Sequence, residues 1–371
     1  VSEISINAKN EADKLLLYFR VFAVPIALII LIAVAAAIQP SFLSIKNIQD
    51  ILTQTAPLAL VVLGQTFVIL VRGLDLSVAS LMASIAVLAT AFDAVSNAMI
   101  PVIFITAIVC SACVGLINGL LVTKRNVSPF LATLAMMIVL QGIRFYYTQG
   151  APSGSLPEGF RVLGTGRFFG IPVNVMAFVL CICSLGWLLH KSSFGRKVYI
   201  TGGNPKSANL VGIQADRVII SCYVICSVMA GIAGLFLVGF IGTVDNWVGR
   251  GYELDSIVAC VIGGIALTGG KGTIWGAAAG ALILILIFNI VIILGFPVQA
   301  QMIIKGIIII LAARCLLSPF ETDNHLMEIR NNRNGHQNMK QEKTILAIHN
   351  VALFSKSFRN QQVSTETRRQ Y

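Results

Sequence analysis

From Val21 to Leu317 the sequence is a succession of long apolar runs separated by short polar or glycine-rich breaks. The runs cover about Val21 to Ile38, Ala56 to Val71, Leu76 to Ala91, Met99 to Val122, Pro129 to Ile143, Ile171 to Leu189, Val218 to Gly242, Leu254 to Leu267, Thr273 to Gly295 and Val298 to Leu317. Runs of this kind predict an all-α polytopic membrane protein with about ten membrane helices. Some are short for a crossing at about 1.5 Å rise per residue, so broken or re-entrant segments belong to the expectation.

The polar breaks orient these segments. Ser193 to Arg217 carries Arg196, Lys197, Lys206 and Arg217 against the single acid Asp216, which predicts a cytoplasmic loop. Counting alternately then places Lys124, Arg125, Lys271 and both termini on the cytoplasmic side. Lys9, Lys14 and Arg20 precede the first run, an order that resembles a signal peptide, with Ala35 to Ala37 as a possible cleavage site. An apolar stretch of about 18 residues is long for a signal and adequate for a span, so an uncleaved first helix is expected after a cytoplasmic segment at 1–20. Arg144 to Gly170 falls outside by the same count despite Arg144, Arg161 and Arg167, and its glycines and prolines suggest an exposed loop and docking surface. Beyond the transmembrane region at 21–317, residues 318–371 form a polar tail expected to be disordered.

Composition agrees with a membrane protein. The 371 residues are 56% hydrophobic and 12% charged, with a mean hydropathy of +0.84. A formal net charge of +11 might point to nucleic acid, but much of it lies beside apolar runs and in the tail, where anionic lipid headgroups account for it. All eight cysteines lie in or at the ends of apolar runs and are expected to be buried, reduced thiols; Cys110 and Cys113 have CxxC spacing without an accompanying His or Asp. No metal-ligand motif is present, and no catalytic residue is assigned.

Candidate chemistry is sparse. A carboxylate within a span is costly and points to proton or ion coupling, yet Asp50, Asp75, Asp93, Glu158, Asp216, Asp245, Glu253 and Asp255 all fall at segment ends or in loops. Lys305 is the one cation inside a run, and it either snorkels outward or makes a helix contact. Arg72 to Ser77 separates two runs by a few residues. Gly73 permits a bend there, and Asp75 or Ser77 can accept from free N–H groups of the next helix. Such breaks border substrate paths, while a plain cytoplasmic turn is the alternative. LDLSVAS at Leu74 to Ser80 echoes LDSIVAC at Leu254 to Cys260, as a five-plus-five inverted repeat would require. The glycines of GGIALTGGKG lack the Walker spacing and suit a tight turn and close helix packing.

The ordered set SFLSIKNIQDIL, GQTFVILVRGLDLSVAS, GLINGLLVTKRNVSPFLATLAMM, FGRKVYITGGNPKSANLVGI and GYELDSIVACVIGGIALTGGKGTIWGAAAGALI resembles permease subunits of bacterial monosaccharide ABC importers. That ribose/xylose/galactose type also includes autoinducer-2 permeases, and the resemblance runs from about Pro40 to Leu317. Arg72 and Ala79 depart from glycines that the family usually carries around its Asp-Leu-Ser core. The resemblance implies a second permease subunit, a separate cytoplasmic ATPase that hydrolyses ATP, and a periplasmic or extracellular sugar-binding protein. It also implies an ATPase-coupling loop at Phe194 to Ile213, with a turn at Gly202, Gly203, Asn204 and Pro205 and a following helix through Gly212. The residues agree: Asn204 can cap a helix that Pro205 opens, and Ala208, Leu210 and Val211 supply an apolar contact.

The expectation is therefore a sugar-transport permease of the bacterial inner membrane, without an ATPase site or cofactor of its own. Its substrate path would pass Gly73, Asp75, Ser77 and Asp255. A stand-alone secondary carrier or facilitator is the rival, and an intramembrane enzyme lacks a paired nucleophile and base.

Overall fold

The structure, a computed structural model, describes residues 24–92, 96–151, 156–297 and 299–307. The expected N-terminal segment, the end of the last span and the polar tail lie outside them. Six helices among the described residues are long and apolar enough to cross a membrane. In chain order the elements are α1 (Val24–Ile38), α2 (Ile45–Leu70), α3 (Val78–Ala89), α4 (Ile100–Lys124), α5 (Pro129–Thr148), α6 (Arg161–Thr165), the strands β1 (Arg167–Phe168) and β2 (Ile171–Pro172), α7 (Val173–His190), α8 (Ser193–Gly203), α9 (Pro205–Leu210), α10 (Ala215–Ile241), α11 (Tyr252–Ile262) and α12 (Ile274–Ile293). A further helical run covers 299–307.

Burial separates inner from outer helices. The apolar window of α2 is 89% buried and that of α5 only 22%, so α2 belongs to the core while α5 turns most of its surface to lipid. Hydrophobicity does not distinguish protein from lipid as a neighbour, and close approach depends on small residues instead. Gly64 of α2 lies against the Cys226 backbone of α10, and Gly115 of α4 against the Tyr223 and Val224 backbone. These contacts seat α2 and α4 on α10, which also packs on α3.

The contacts give helix directions. Gly64 faces Cys226 whereas Gly73, beyond the end of α2, faces Tyr223, so α2 and α10 are antiparallel. Gly73 meets Tyr223 and Gly234 meets Met82, which sets α3 along α10. Thr66 lies 3.7 Å from Cys260, and Gly270 N–H donates to Leu70 O, which sets α11 along α2. The short helices beginning near the two echoed heptapeptides therefore run in opposite senses, as the inverted arrangement requires. With 12 residues in α3 and 11 in α11, each reaches about 18 Å or less, short of a hydrocarbon core of about 30 Å.

Two expectations change. Cys222, Cys226 and Cys260 are buried, but Cys110, Cys113 and Cys183 are exposed on outer helix faces. An apolar run does not tell which face meets protein and which meets lipid. The proposed loop from Arg144 to Gly170 starts too early: α5 continues to Thr148, and Arg144 is buried with Nη1 donating to Ser80 O at 3.0 Å. That charge ended the apolar run without ending the helix. The rest of the stretch holds α6 and the antiparallel pair of β1 with β2.

Helices α11 and α12 pack through glycine. A Cβ at Gly280 would overlap the Ala259 carbonyl and lie 2.8 Å from Gly263 N. Gly280→Val is expected to lose at least about 1–3 kcal/mol through overpacking. Gly142 has open space around its Cβ position on α5, and Gly142→Ala is expected to gain up to about 1 kcal/mol. Thermal unfolding of both variants in detergent checks the opposite signs.

Candidate functional site

The first part of the site is the break between α2 and α3. Arg72 takes the left-handed conformation, φ 66°, so the chain turns at Arg72 and not at Gly73. Gly73 serves close approach: a Cβ there would lie 2.6 Å from Tyr223 Oη. Tyr223 O–H donates to Leu74 O at 3.4 Å, and Leu76 N–H donates to Thr133 Oγ1 at 3.2 Å. Asp75 is fully buried. Its Oδ1 accepts from Ser77 N–H at 2.9 Å and from Ser77 O–H at 2.5 Å, while Asn118 Nδ2 donates to Ser77 Oγ at 3.0 Å. Ser77 therefore supports Asp75 and makes no side-chain cap of α3.

Asp255 is placed apart from this cluster. It lies in the first turn of α11 and pairs with Lys305 at 2.5 Å, whose ammonium sits 5.2 Å from the Phe288 ring centroid. Lys305 thus makes the helix contact and does not snorkel outward. Gly73, Asp75 and Ser77 come together, whereas Asp255 belongs to a separate ion pair.

The second part is the elbow of α8 and α9. Ser192 Oγ accepts from Gly195 N–H at 3.2 Å to cap α8. Asn204 Oδ1 accepts from Lys206 and Ser207 N–H groups at 2.9 and 3.2 Å to cap α9, with Pro205 at its first position. Gly202 and Gly203 are the last residues of α8, so the turn is narrower than expected and falls on Asn204. Gly212, φ 81°, closes α9: its N–H bonds Asn209 O, and that of Ile213 bonds Ala208 O. Ala208 is buried and unavailable as an outward contact; Leu210 and Val211 are 89% and 70% exposed. Gly203 faces open space.

The two parts are joined. Arg72 Nε donates to Gly202 O at 2.6 Å, and its Nη2 donates to Gly203 O. Gly202 leaves no room for a Cβ beside Leu70 O, which accepts from Gly270 N–H at 2.9 Å. Tyr199 O–H donates to Gly272 O at 2.8 Å; burial pushes its phenol above the usual tyrosine range, so it stays a donor. Three chain segments, the break, the end of α8 and the turn at 269–272, thus form one knot. Sequence reasoning missed this role of Arg72. The available signal was a long cation in a break that glycine usually fills.

The family described as "Branched-chain amino acid transport system / permease component" matches residues 47–313. Ribose import permease protein RbsC of Bacillus subtilis is 39% identical over 290 residues, 77% of this chain and 89% of that protein. RbsC of Escherichia coli is 37% identical over 292 residues, 77% and 90% of the two chains. Galactose/methyl galactoside import permease protein MglC of Escherichia coli is 33% identical over 319 residues, 80% and 94%. No solved structure matches the chain significantly.

Charge-assisted hydrogen bonds contribute about 1.5–3 kcal/mol each. Arg72→Ala is therefore expected to speed amide exchange over 199–204 by about ten-fold or more, since about 1.4 kcal/mol is ten-fold. Hydrogen exchange by mass spectrometry, with residues 215–241 as the internal reference, reads this loss.

Proposed function

The chain belongs to this family of transport-system permease components, and from that membership we propose that it forms the membrane pathway of an ATP-driven importer for a sugar or sugar-like solute. The family makes it a multi-pass membrane transport subunit and not itself an enzyme. For the solute class, the family description names branched-chain amino acids, but sugar import permeases match about nine-tenths of their own length. That difference favours a sugar.

The observation that carries the mechanism is the elbow. It presents Leu210, Val211 and the open backbone of Gly203 outward, and Arg72 ties it to the break beside Asp75. A cytoplasmic ABC ATPase gripping Leu210 and Val211 would pull on Gly202 and Gly203, and through Arg72 on the start of α3. The four basic residues around the elbow support its cytoplasmic placement in the bacterial inner membrane, with both termini on that side. A periplasmic or extracellular sugar-binding protein would deliver the solute on the opposite side. A second permease subunit would complete the pathway.

Buried Asp75 favours one rival, a stand-alone ion-driven carrier, because a carboxylate held away from water is a natural coupling group. The surrounding donors from Ser77 explain a buried acid here equally well as support for the broken backbone.

In proteoliposomes holding the full importer, sugar accumulation is expected to require ATP. Gly203→Asp is expected to lower the rate at least ten-fold while insertion and thermal stability stay normal. Accumulation driven by a proton or sodium gradient without the ATPase would overturn the proposal. So would unchanged ATP-driven uptake by Gly203→Asp.

A further inference from the structure

A cavity of about 270 Å³ opens between α3, α5, the 246–250 loop and the start of α11. We infer that this cavity is a recognition site for one uncharged monosaccharide ring, with Trp247 as its stacking platform. The inference rests on the sugar-importer reading above and adds the residues that would read the sugar.

Size is the first constraint. The volume lies just below the range of about 300–1,000 Å³ typical of pockets for drug-sized ligands, so the cavity suits a smaller solute. Its apolar wall is made of Ala79, Ala83, Met137 and Val248.

The polar wall is built and partly unused. Arg144 is 5% exposed. Its Nη1 is fixed on Ser80 O at 3.0 Å, while its buried Nε has no hydrogen-bond partner among the described residues. Gln141 stands one turn before Arg144 in α5 and also lines the cavity. Glu253 uses Oε2 to accept from Gly251 N–H at 2.9 Å, leaving Oε1 as an acceptor. Donors and acceptors together match hydroxyl groups, each of which both donates and accepts. Arg144 and Arg250 are set against Glu253 in the lining and against Asp245 close to Arg144, so the charges largely offset one another and suit an uncharged ring.

The indole is held in place from several sides. The Arg250 guanidinium lies 4.7 Å from its ring centroid, and Phe145 meets it edge-on at 5.6 Å. Its neighbour Asn246 donates from Nδ2 to Thr148 Oγ1 at 3.0 Å. Trp247 nevertheless remains 47% exposed. A rigid aromatic face beside unsatisfied polar groups suits a solute with one apolar face and a polar rim, which is the surface of a sugar ring.

The test uses the full chain in nanodiscs, with Trp187→Phe and Trp275→Phe so that Trp247 reports alone. D-Ribose, D-galactose and L-leucine serve as probes. One of the sugars is expected to change the emission saturably, L-leucine is expected not to, and Gln141→Ala is expected to weaken the sugar response at least ten-fold. In the intact importer, Trp247→Ala is expected to raise the uptake KM at least ten-fold at normal membrane level, and Trp247→Phe to restore most of it. Sugar uptake by wild type with an unchanged KM in Trp247→Ala would sink this inference and leave the importer reading standing. Saturable leucine binding that excludes both sugars would also sink it. Absence of any sugar uptake by the wild-type importer would instead overturn the importer reading first, and this inference with it.

Discussion

Breaking a helix inside a membrane protein exposes backbone donors and acceptors away from bulk water, and each buried one must find a partner, in its own turn or from another element. The interval between α2 and α3 is governed by that requirement. Leu70 O takes the amide of Gly270, Leu74 O takes the phenol of Tyr223, Leu76 N–H finds Thr133, and Ser77 N–H finds Asp75. Partners from the glycine-rich turn, α10 and α5 are thus drawn to one place, and Asn118 of α4 joins through Ser77. The packing of the inner helices follows from the need to satisfy this short interval. Its glycines follow too, because Gly73 and Gly202 sit where a side chain would force the partners apart.

The two buried acids show two solutions to the same electrostatic problem. Asp75 keeps its place through hydroxyl and amide donors within its own turn, a local arrangement that requires no opposite charge. Asp255 is held by Lys305, which ties α11 to the 299–307 helical run. An ion pair of this kind is not needed for net stability, since burying both charges offsets much of their attraction. It does fix which helix lies beside which. The sequence echo between Leu74 to Ser80 and Leu254 to Cys260 therefore marks helices of opposed direction without giving their acids a shared chemistry.

Much of this architecture was legible in the apolar runs, because lipid solubility is a property of composition over many residues. The elbow was legible as well: Asn204 and Pro205 act through local backbone geometry, and local geometry is written in adjacent residues. Ala208 was misjudged because its burial depends on segments remote in sequence. Arg144 was misjudged because a charge reads as the end of a span until Ser80 is known to lie beside it. Arg72 was visible only as a departure from glycine. Its meaning required knowing that Gly202 and Gly203 approach from about 130 residues away, as the separations of its two hydrogen bonds record.

The departures at Arg72 and Ala79 also bracket one continuous piece of chain. Arg72 grips the end of α8, and Ala79 and Ser80 line the cavity in the first turn of α3. Between them lies an interval whose polar groups are held by three different helices. A displacement of the elbow has a short mechanical route here: guanidinium to break, break to α3, and Ser80 O to Arg144. Because packed interiors rearrange between discrete arrangements and deform little between them, such a displacement would move Ser80 as part of a rigid turn. Arg144 would then either follow Ser80 or lose that hydrogen bond, and in both cases the polar wall of the cavity changes. A solute held by that wall would feel the elbow's position without touching it, which is the physical content of coupling between an energy-consuming partner and a transport path.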